Sequence, residues 1–555
     1  MTVQRCLFFL MVISGGVFLI CDTVFAANAV QKVSSGLVRS RDAKDFAWYI
    51  DPVKKERFFI GSPADALVTA ERAGRLVSPE VLDGVAPYYI STVTGDFDRD
   101  GLSDEMELIL GTDLARPDSD DDGHTDGDEV KNGFLPTDLK SAARYRRSSG
   151  DVRYAFVRTS PDAPWWYITG DGRRMLWSSQ SLSMDDAFRL SAEMGDDVLK
   201  GIPVSLSSPL WLSVPVGYSA SLVASGFQFP RTLVFDPMGN LVVVDMTDRG
   251  VVYALVDSNK DGVIDVRKAI VSGLKFPHGI AFGQDRIYIA RERAIEAWDY
   301  DPVLQETIGK PKKIMDLPPS DKTFPGGGHR TRTLVMDGEW LYVSIGSNCN
   351  ACLGYDQDFA VIKRVHTKTG KIETVARGLR NTVFFLKDSL TGKWWGNDMG
   401  QDDLGDGNPP DELNEIAMGR NYGWPYCYGA KVPTPQNKRP ALCKTTTAMV
   451  HGYQAHSAPL GITQVVKEFS QEWQGQFLSA LHGSTVSSKR VGYKVVRVEL
   501  DALSSKSPVQ TDFITGFLRG EHAIVGRPAA LTFDDAGELY VSDDYANVIY
   551  RITRE

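Results

Sequence analysis

From residue 207 onward the chain alternates apolar and polar positions in short runs broken by Gly, Asp or Asn, and one unit returns six times. The strings are FPRTLVFDPMGNLVVVD, FPHGIAFGQDRIYIA, HRTRTLVMDGEWLYVSIG, LRNTVFFLKDSLTGKWWGND, APLGITQVVKEFSQEWQGQFLSALHG and GRPAALTFDDAGELYVSDD. Each holds an apolar run, a turn and a second apolar run, and a third run such as GVVYAL or NVIYRI often follows. A period of two, with β-branched and aromatic residues between turn signals, predicts strands. Six such units of four strands predict an all-β fold, a six-bladed β-propeller over residues 207–555. A β-sandwich is the competing arrangement, but it gives no reason for one motif to recur in one register.

Upstream the pattern changes. Arg5 is followed by the apolar run CLFFLMVISGGVFLI and then by small residues in VFAANA, the layout of a secretory signal peptide spanning residues 1–29, cleaved after Ala26 or Ala29. The run falls short of the roughly 20 apolar residues of a spanning helix. No second such run follows, so the expectation is a periplasmic or secreted protein with no membrane span after cleavage. Cys6 and Cys21 leave with the signal, while Cys349, Cys352, Cys427 and Cys443 remain. An even number in an oxidising compartment predicts two disulfides, one of them local within CNAC, which lacks both a second CxxC for zinc and a following His for haem. Residues 151–206 contain Trp but little pattern and are expected to connect the N-terminal region, 30–150, to the repeats.

With 43% hydrophobic residues in 555, the chain has the composition of a globular protein of two or three folded units. Its net charge of -10 is local, because residues 95–138 hold 15 acidic against 3 basic side chains. No basic stripe appears, which excludes nucleic acid as an expected partner. The acidic segment repeats one spacing. Asp96, Asp98, Asp100, Asp104 and Glu107 stand at positions 1, 3, 5, 9 and 12 of a loop with Gly101 at position 6, and Asp118, Asp120, Asp122, Asp126 and Glu129 do the same around Gly123. Ca2+ takes six to eight oxygens, and this alternation turns successive carboxylates inward around a glycine turn. Backbone carbonyls of Leu102 and His124 would fill position 7. The short interval between the loops resembles thrombospondin type 3-like repeats, with a structural or adhesive role. A further string, DSNKDGVID from Asp257, has Lys268 where a closing Glu would stand.

At the first-strand entries of successive repeats stand Arg231, His278, Arg332, Arg380 with Asn381, His456 and Arg527. A propeller brings such positions to one end of its channel. Buried unpaired cations are costly, so the ring calls either for a polyanionic ligand or for structural salt bridges. In FPGGGHRTRTL, glycines ahead of His329 let a flat ligand approach the backbone.

The motifs GGGHRTRTLV, LYVSIGSNCNAC, ARGLRN, PPDELNEIAMGRNYGWPYCYG, GYKVVRV, DFITGFL, GRP and LYVSDDYANVIYRI together resemble the glucose/sorbosone dehydrogenase family of exported quinoproteins, most closely its sorbosone-dehydrogenase-like branch. The resemblance implies a propeller that holds pyrroloquinoline quinone (PQQ) and Ca2+ and oxidises sugars or related alcohols, passing electrons to an acceptor such as a cytochrome or quinone. It implies His329 as the base, Arg380 and Asn381 on the quinone oxygens, and Arg332 and Arg527 on the cofactor's carboxylates, and the register of the strand entries adds Arg231 as a further cofactor-binding cation. Where the branch has HGSWNR this chain has HGSTVSSKR, which leaves Lys489 or Arg490 to stand in. Backbone carbonyls of Gly400 and Gln401 would hold the cofactor's calcium, and Asp411 and Glu412 a second ion. The alternative reading is a non-redox, calcium-stabilised propeller that binds carbohydrate or acts as a lactonase-like hydrolase.

Overall fold

Each of the six repeated strings supplies the first two strands of one antiparallel sheet. The structure is a computed structural model that describes residues 35–40, 46–77, 95–137, 144, 152–158, 165–169, 172–177, 191–194, 199, 202, 204–206, 208, 210–258, 264–320, 328–353, 357–484, 486–500 and 507–555. The expected signal peptide lies outside these residues, as do 321–327 before Gly328 and 259–263 of the string from Asp257.

The first strands of the six sheets are Pro230–Phe235, Ile280–Gly283, Leu334–Asp337, Thr382–Lys387, Pro459–Gln464 and Pro528–Phe533. Within each sheet the strands pair in chain order, and the third sheet gains the short strand Arg420–Asn421 at its edge. First strands of successive sheets neighbour one another, with the third sheet meeting the fourth through Trp340–Ile345, and Pro528–Phe533 returns to Pro230–Phe235. The sixth sheet takes its fourth strand from upstream, where Tyr218–Ser225 pairs antiparallel with Val548–Arg554. Both ends of the repeat region are thus tied into one sheet by main-chain hydrogen bonds. The described residues are mostly β with few helices, as the periodicity predicts, and among them no helix is long and apolar enough to cross a membrane.

The N-terminal region joins this body through a shared core. Strands Gly36–Ser40, Ala47–Ile50 and Arg57–Ile60 form a sheet with Ala192–Met194. Trp48, Ile50 and Phe59 on one face pack with Trp211, Val495, Phe513 and Tyr550 of the repeat region. Tyr49, Phe58 and Ile60 on the other face pack with Ala66 and Ala70 of the helix Pro63–Ala73 and with Phe156 and Trp177. Both faces are covered, so AWYI and RFFI are apolar without alternation. Ser62 caps the helix by accepting from Asp65 N, and proline opens its first turn. Arg57 is buried at the seam, its guanidinium 4.4 Å over the Trp48 ring and its Nη2 donating to the Ala546 carbonyl at 3.1 Å.

Residues 151–206, expected as a connector, supply Phe156–Arg158, Trp165–Ile168 and Arg174–Trp177 to a second N-terminal sheet, as well as Ala192–Met194. Trp165, Trp166 and Trp177 are buried, which ties these strands into the N-terminal core despite their weak pattern. Both expected disulfides are formed, Cys349–Cys352 and Cys427–Cys443.

Candidate functional site

Four first strands carry a register shift just after their first residue, between Pro230 and Leu233, Thr382 and Phe385, Pro459 and Ile462, and Pro528 and Leu531. Such bulges bend the strand and re-aim the side chains beside them. In three of these sheets an aspartate that ends the second strand faces the strand's first residue, in the pairs Pro230 with Asp245, Thr382 with Asp398, and Pro528 with Asp543. Asp245 accepts the amides of Gln228 and Phe229 at 3.1 and 2.5 Å. Asp398 accepts those of Arg380 and Asn381 at 3.0 and 2.8 Å and the Thr382 hydroxyl at 2.8 Å. Asp543 accepts the Arg527 amide at 2.8 Å. Burial pushes the carboxyls of Asp398 and Asp543 up to about 6 despite these donors. These aspartates fix the backbone from which Arg380, Asn381 and Arg527 project. Sequence reasoning passed over them, although the signal stood in the quoted endings VVVD, GND and SDD.

Around His329 one short segment organises the site. Its Nδ1 donates to the Ser347 carbonyl at 2.9 Å and lies 3.1 Å from the Ser347 hydroxyl, which itself donates to the Cys349 carbonyl at 2.6 Å. That fixes the tautomer and leaves Nε2 as an acceptor with no hydrogen bond among the described residues. Burial, together with the nearby Arg380 and Arg332 charges, pushes the imidazole down to about 3, so it is neutral at ordinary pH. Gly346 lies between His329 and Asn381: a Cβ there would meet Asn381 Oδ1 at 2.5 Å and His329 Cβ at 2.7 Å. Gly346→Ala is expected to force both side chains aside at a cost of about 1–3 kcal/mol, read as a lower urea midpoint. Gly407→Ala, where a Cβ meets nothing within 4 Å, is expected to leave the midpoint unchanged.

Arg380 is 5% exposed and its donors are divided between two loops. Nε donates to the Asn350 carbonyl at 3.0 Å, while Nη2 donates to Asn350 Oδ1 at 2.8 Å and to Asp402 at 3.0 Å. Asn381 Nδ2 reaches the Met399 sulfur at 3.4 Å. A second cluster lies where the fifth, sixth and first sheets meet. Arg231 Nη1 donates to Asp544 at 2.7 Å, and His482 Nε2 donates to the same carboxylate at 2.8 Å. Arg527 donates to the carbonyls of His482 and Gly483. The neighbouring cations hold Asp544 below the ordinary carboxylate range, while burial first of all pushes His482 down to about 4. Arg231 Nε is buried without a partner.

His278 lies between the clusters, fully buried, with Nδ1 3.4 Å from the Thr333 hydroxyl and Nε2 without a partner. Burial lowers its pKa, and the charges of Arg231 and Arg332 lower it further. Arg332 turns beneath the His329 loop instead of towards open space. Its Nη1 donates to the carbonyls of His329 and Thr331 at 2.6 and 2.8 Å, and its Nη2 to that of Pro318 at 3.2 Å. Arg330, out of register between the two, stacks 4.8 Å over the Phe276 ring. The ring of cations expected from the repeats is thus partly paired, through Arg231 with Asp544 and Arg380 with Asp402.

The loop 399–411 is anchored at several points. Asp411 accepts the amides of Gly400 and Ala458 at 2.8 and 2.9 Å and the Ser457 hydroxyl at 3.1 Å. Glu412 accepts the Gly429 amide at 2.6 Å and Asn414 Nδ2 at 2.9 Å. Gln401 is buried and donates to Asp403, and His456 donates to the Gly405 carbonyl at 3.0 Å. Lys489 is exposed, beside Ser488, whose amide donates to Asp406 at 3.0 Å.

The two acidic loops share one backbone. Positions 4 and 6 have positive φ in each, at Arg99 and Gly101 and at Asp121 and Gly123. Asp96, Asp98 and Asp100 bring one carboxylate oxygen each within 4.8 Å of one another, and Asp118, Asp120 and Asp122 do the same. Asp104 and Asp126 accept the amides of Phe97 and Ser119, while Leu102 is buried and His124 exposed. Glu107 is 0% exposed with neither oxygen hydrogen-bonded, and burial with the charges of Asp98, Asp100, Asp104 and Asp126 pushes it up to about 8. Glu129 is buried in the helix Asp126–Asn132.

The TrAA12-like family description matches residues 212–555, all six sheets together with the strand that closes the last. The chain belongs to the TrAA12-like family. A curated relative from Borreliella burgdorferi, described as an uncharacterized protein, is 28% identical over 356 residues, 62% of this chain and 91% of that protein. The pyrroloquinoline quinone-dependent sugar dehydrogenase of Hypocrea jecorina is 24% identical over 395 residues, 60% of this chain and 87% of that one. A solved structure of a Trichoderma reesei enzyme of carbohydrate-active family AA12 superposes with a TM-score of 0.53 at 22% identity, over 62% of this chain and 98% of that chain. Across its repeat region this TrAA12-like chain shares the fold of the AA12 enzyme, and it carries the N-terminal layer outside the matched range.

Proposed function

We propose that this TrAA12-like protein is an exported, PQQ- and calcium-dependent dehydrogenase that oxidises a sugar or related alcohol on a six-bladed propeller formed by residues 207–555. The observation that carries the reading is the constellation of His329, Arg380 and Asn381 around Gly346, with the imidazole neutral and its Nε2 free. The relatives' activity supports it. When bound, PQQ supplies a two-electron acceptor for the substrate's C–H bond.

The donor set fits a flat ring bearing carbonyl and carboxylate oxygens. Arg380 and Asn381 offer N–H donors at one end, while Arg231, with a buried Nε lacking a partner, and Arg527 offer cations at the other. Gly400 and Gln401 would contribute backbone carbonyls for the cofactor's calcium. Asp411 and Glu412, both buried and raised in pKa, would favour a cation beside them. His329 takes the substrate hydroxyl proton at Nε2, and the Ser347 carbonyl steadies the charged imidazolium that results. Arg332, bonded to the carbonyl of His329 itself, holds the base's backbone. The motif order supports a sorbosone-like branch.

Dye reduction by protein reconstituted with PQQ and Ca2+, over a panel of aldoses, pyranoses and polyols, tests the reading. Turnover with at least one sugar is expected, and no turnover despite cofactor uptake would remove it. A lactonase-like site would need several side-chain carboxylates around one metal. Among the described residues, such groups of three are those of Asp96 and Asp118, outside the repeats.

The acidic segment, in this reading, binds two calcium ions in thrombospondin type 3-like loops. Glu107 carries that claim, being buried, without a partner and aimed at other carboxylates. Its folded pKa is raised to about 8, so without a cation the stability it contributes is present at low pH and is lost as pH rises towards 8. Bound calcium takes the proton's place. Melting of chelator-treated protein is therefore expected at lower temperature at pH 8 than at pH 5, with added CaCl2 removing the difference. Glu107→Gln is expected to weaken calcium uptake in calorimetry while leaving dye reduction intact.

A further inference from the structure

Within this reading, we propose that Asn350 is the positioning residue for Arg380, presented by the Cys349–Cys352 bracket. Arg380 is clamped by both oxygens of this one residue, its Nε on the Asn350 carbonyl at 3.0 Å and its Nη2 on Asn350 Oδ1 at 2.8 Å. Two acceptors from one residue match the fixed fork of a guanidinium and set its plane as well as its place. The competing anchor is Asp402, whose side chain is 46% exposed. Solvent screens the Asp402 end of that pair, so the two part-buried Asn350 bonds carry the orientation.

Asn350 is itself held from several sides. Its carbonyl also accepts Trp424 Nε1 at 3.0 Å, and its Oδ1 also accepts the Asp402 amide at 2.9 Å. The flanking cysteines close a disulfide across it, and the Cys352 amide lies 3.1 Å from the Cys349 sulfur. The same segment reaches the base. Ser347 donates its hydroxyl to the Cys349 carbonyl at 2.6 Å and its amide to the Arg380 carbonyl at 2.7 Å, and its carbonyl receives His329. Residues 347–350 therefore set the spacing between the proton-accepting imidazole and the guanidinium. A neutral amide suits this role because it aligns Arg380 without adding a second carboxylate to the one Asp402 supplies.

Two readouts test the proposal. In cofactor-free protein, modification of Arg380 by phenylglyoxal, followed by peptide mass spectrometry, reports how firmly the guanidinium is held. N350A is expected to raise that rate about tenfold, the loss of one hydrogen bond to a charged group, while N350D keeps the acceptor and the wild-type rate. In protein loaded with PQQ and Ca2+, N350A is expected to lower kcat by about tenfold or more with the sugar KM within about twofold, and the melting temperature is expected to stay within a few degrees. Labelling of N350A at the wild-type rate overturns the proposal, as does wild-type kcat in a loaded N350A protein. If the wild-type chain takes up no quinone, the functional reading falls, and the labelling rates still decide whether Asn350 holds Arg380.

Discussion

His329→Ala is expected to lower kcat by about 10²–10⁴-fold, the usual worth of a positioned general base, while PQQ affinity and sugar KM stay near wild type. The expectation follows from how the ring is held. Nδ1 is committed to the Ser347 carbonyl, so the lone pair on Nε2 is the one acceptor the residue can offer a hydroxyl. Stopped-flow reduction of the loaded protein by sugar checks it, and a variant that reduces at the wild-type rate would show that another group takes the proton. The pH behaviour has a defined sign. The folded-state pKa is depressed to about 3, so His329 contributes stability that is present above its ordinary value and lost as pH falls towards 3. A loss of activity between pH 7 and 5 would therefore have to come from a group other than this imidazole.

Asp398→Ala is expected to be the most destabilising single change at the site, by about 3–5 kcal/mol. It leaves two buried backbone amides and the Thr382 hydroxyl without their acceptor, each costing on the order of 1–3 kcal/mol. The loss should appear as a lower denaturant midpoint and as weakened PQQ uptake, because Arg380 and Asn381 hang from those amides. Asp245→Ala provides the contrast. It removes the equivalent acceptor in the first sheet, under Gln228 and Phe229, and is expected to cost stability with cofactor uptake largely kept. Equal loss of uptake in both variants would mean that Asp398 acts through global stability and not through the residues it holds.

The strands of the repeat region were legible because each string pairs a period of two with a turn, and the structure builds a sheet on every one of them. The N-terminal strands AWYI and RFFI were not, since packing on both faces removes the alternation that marks a strand. The acidic loops were legible in their spacing, which the repeated positive φ at positions 4 and 6 matches. For the site, the sequence pointed to strand entries but not to register. Arg231 stands one residue into its strand and on the bulge, Arg527 stands one residue before its strand, and Arg332 turns under its loop onto carbonyls. A bulge moves a side chain to another face without changing the apolar pattern, so such differences leave no trace in periodicity. Asp398 could have been found from the aspartate that recurs at second-strand ends. Asn350 could not, because its role depends on where a disulfide-closed loop meets a residue 30 positions away.

The central claim is that this chain presents a bound quinone to a sugar. An absorption spectrum of the protein loaded with PQQ and Ca2+, recorded before and after an aldose is added with no other acceptor present, tests it most directly. One quinone per chain, with its oxidised absorbance lost on adding the sugar, is the expected result. A spectrum of free quinone that the sugar does not change would contradict the account.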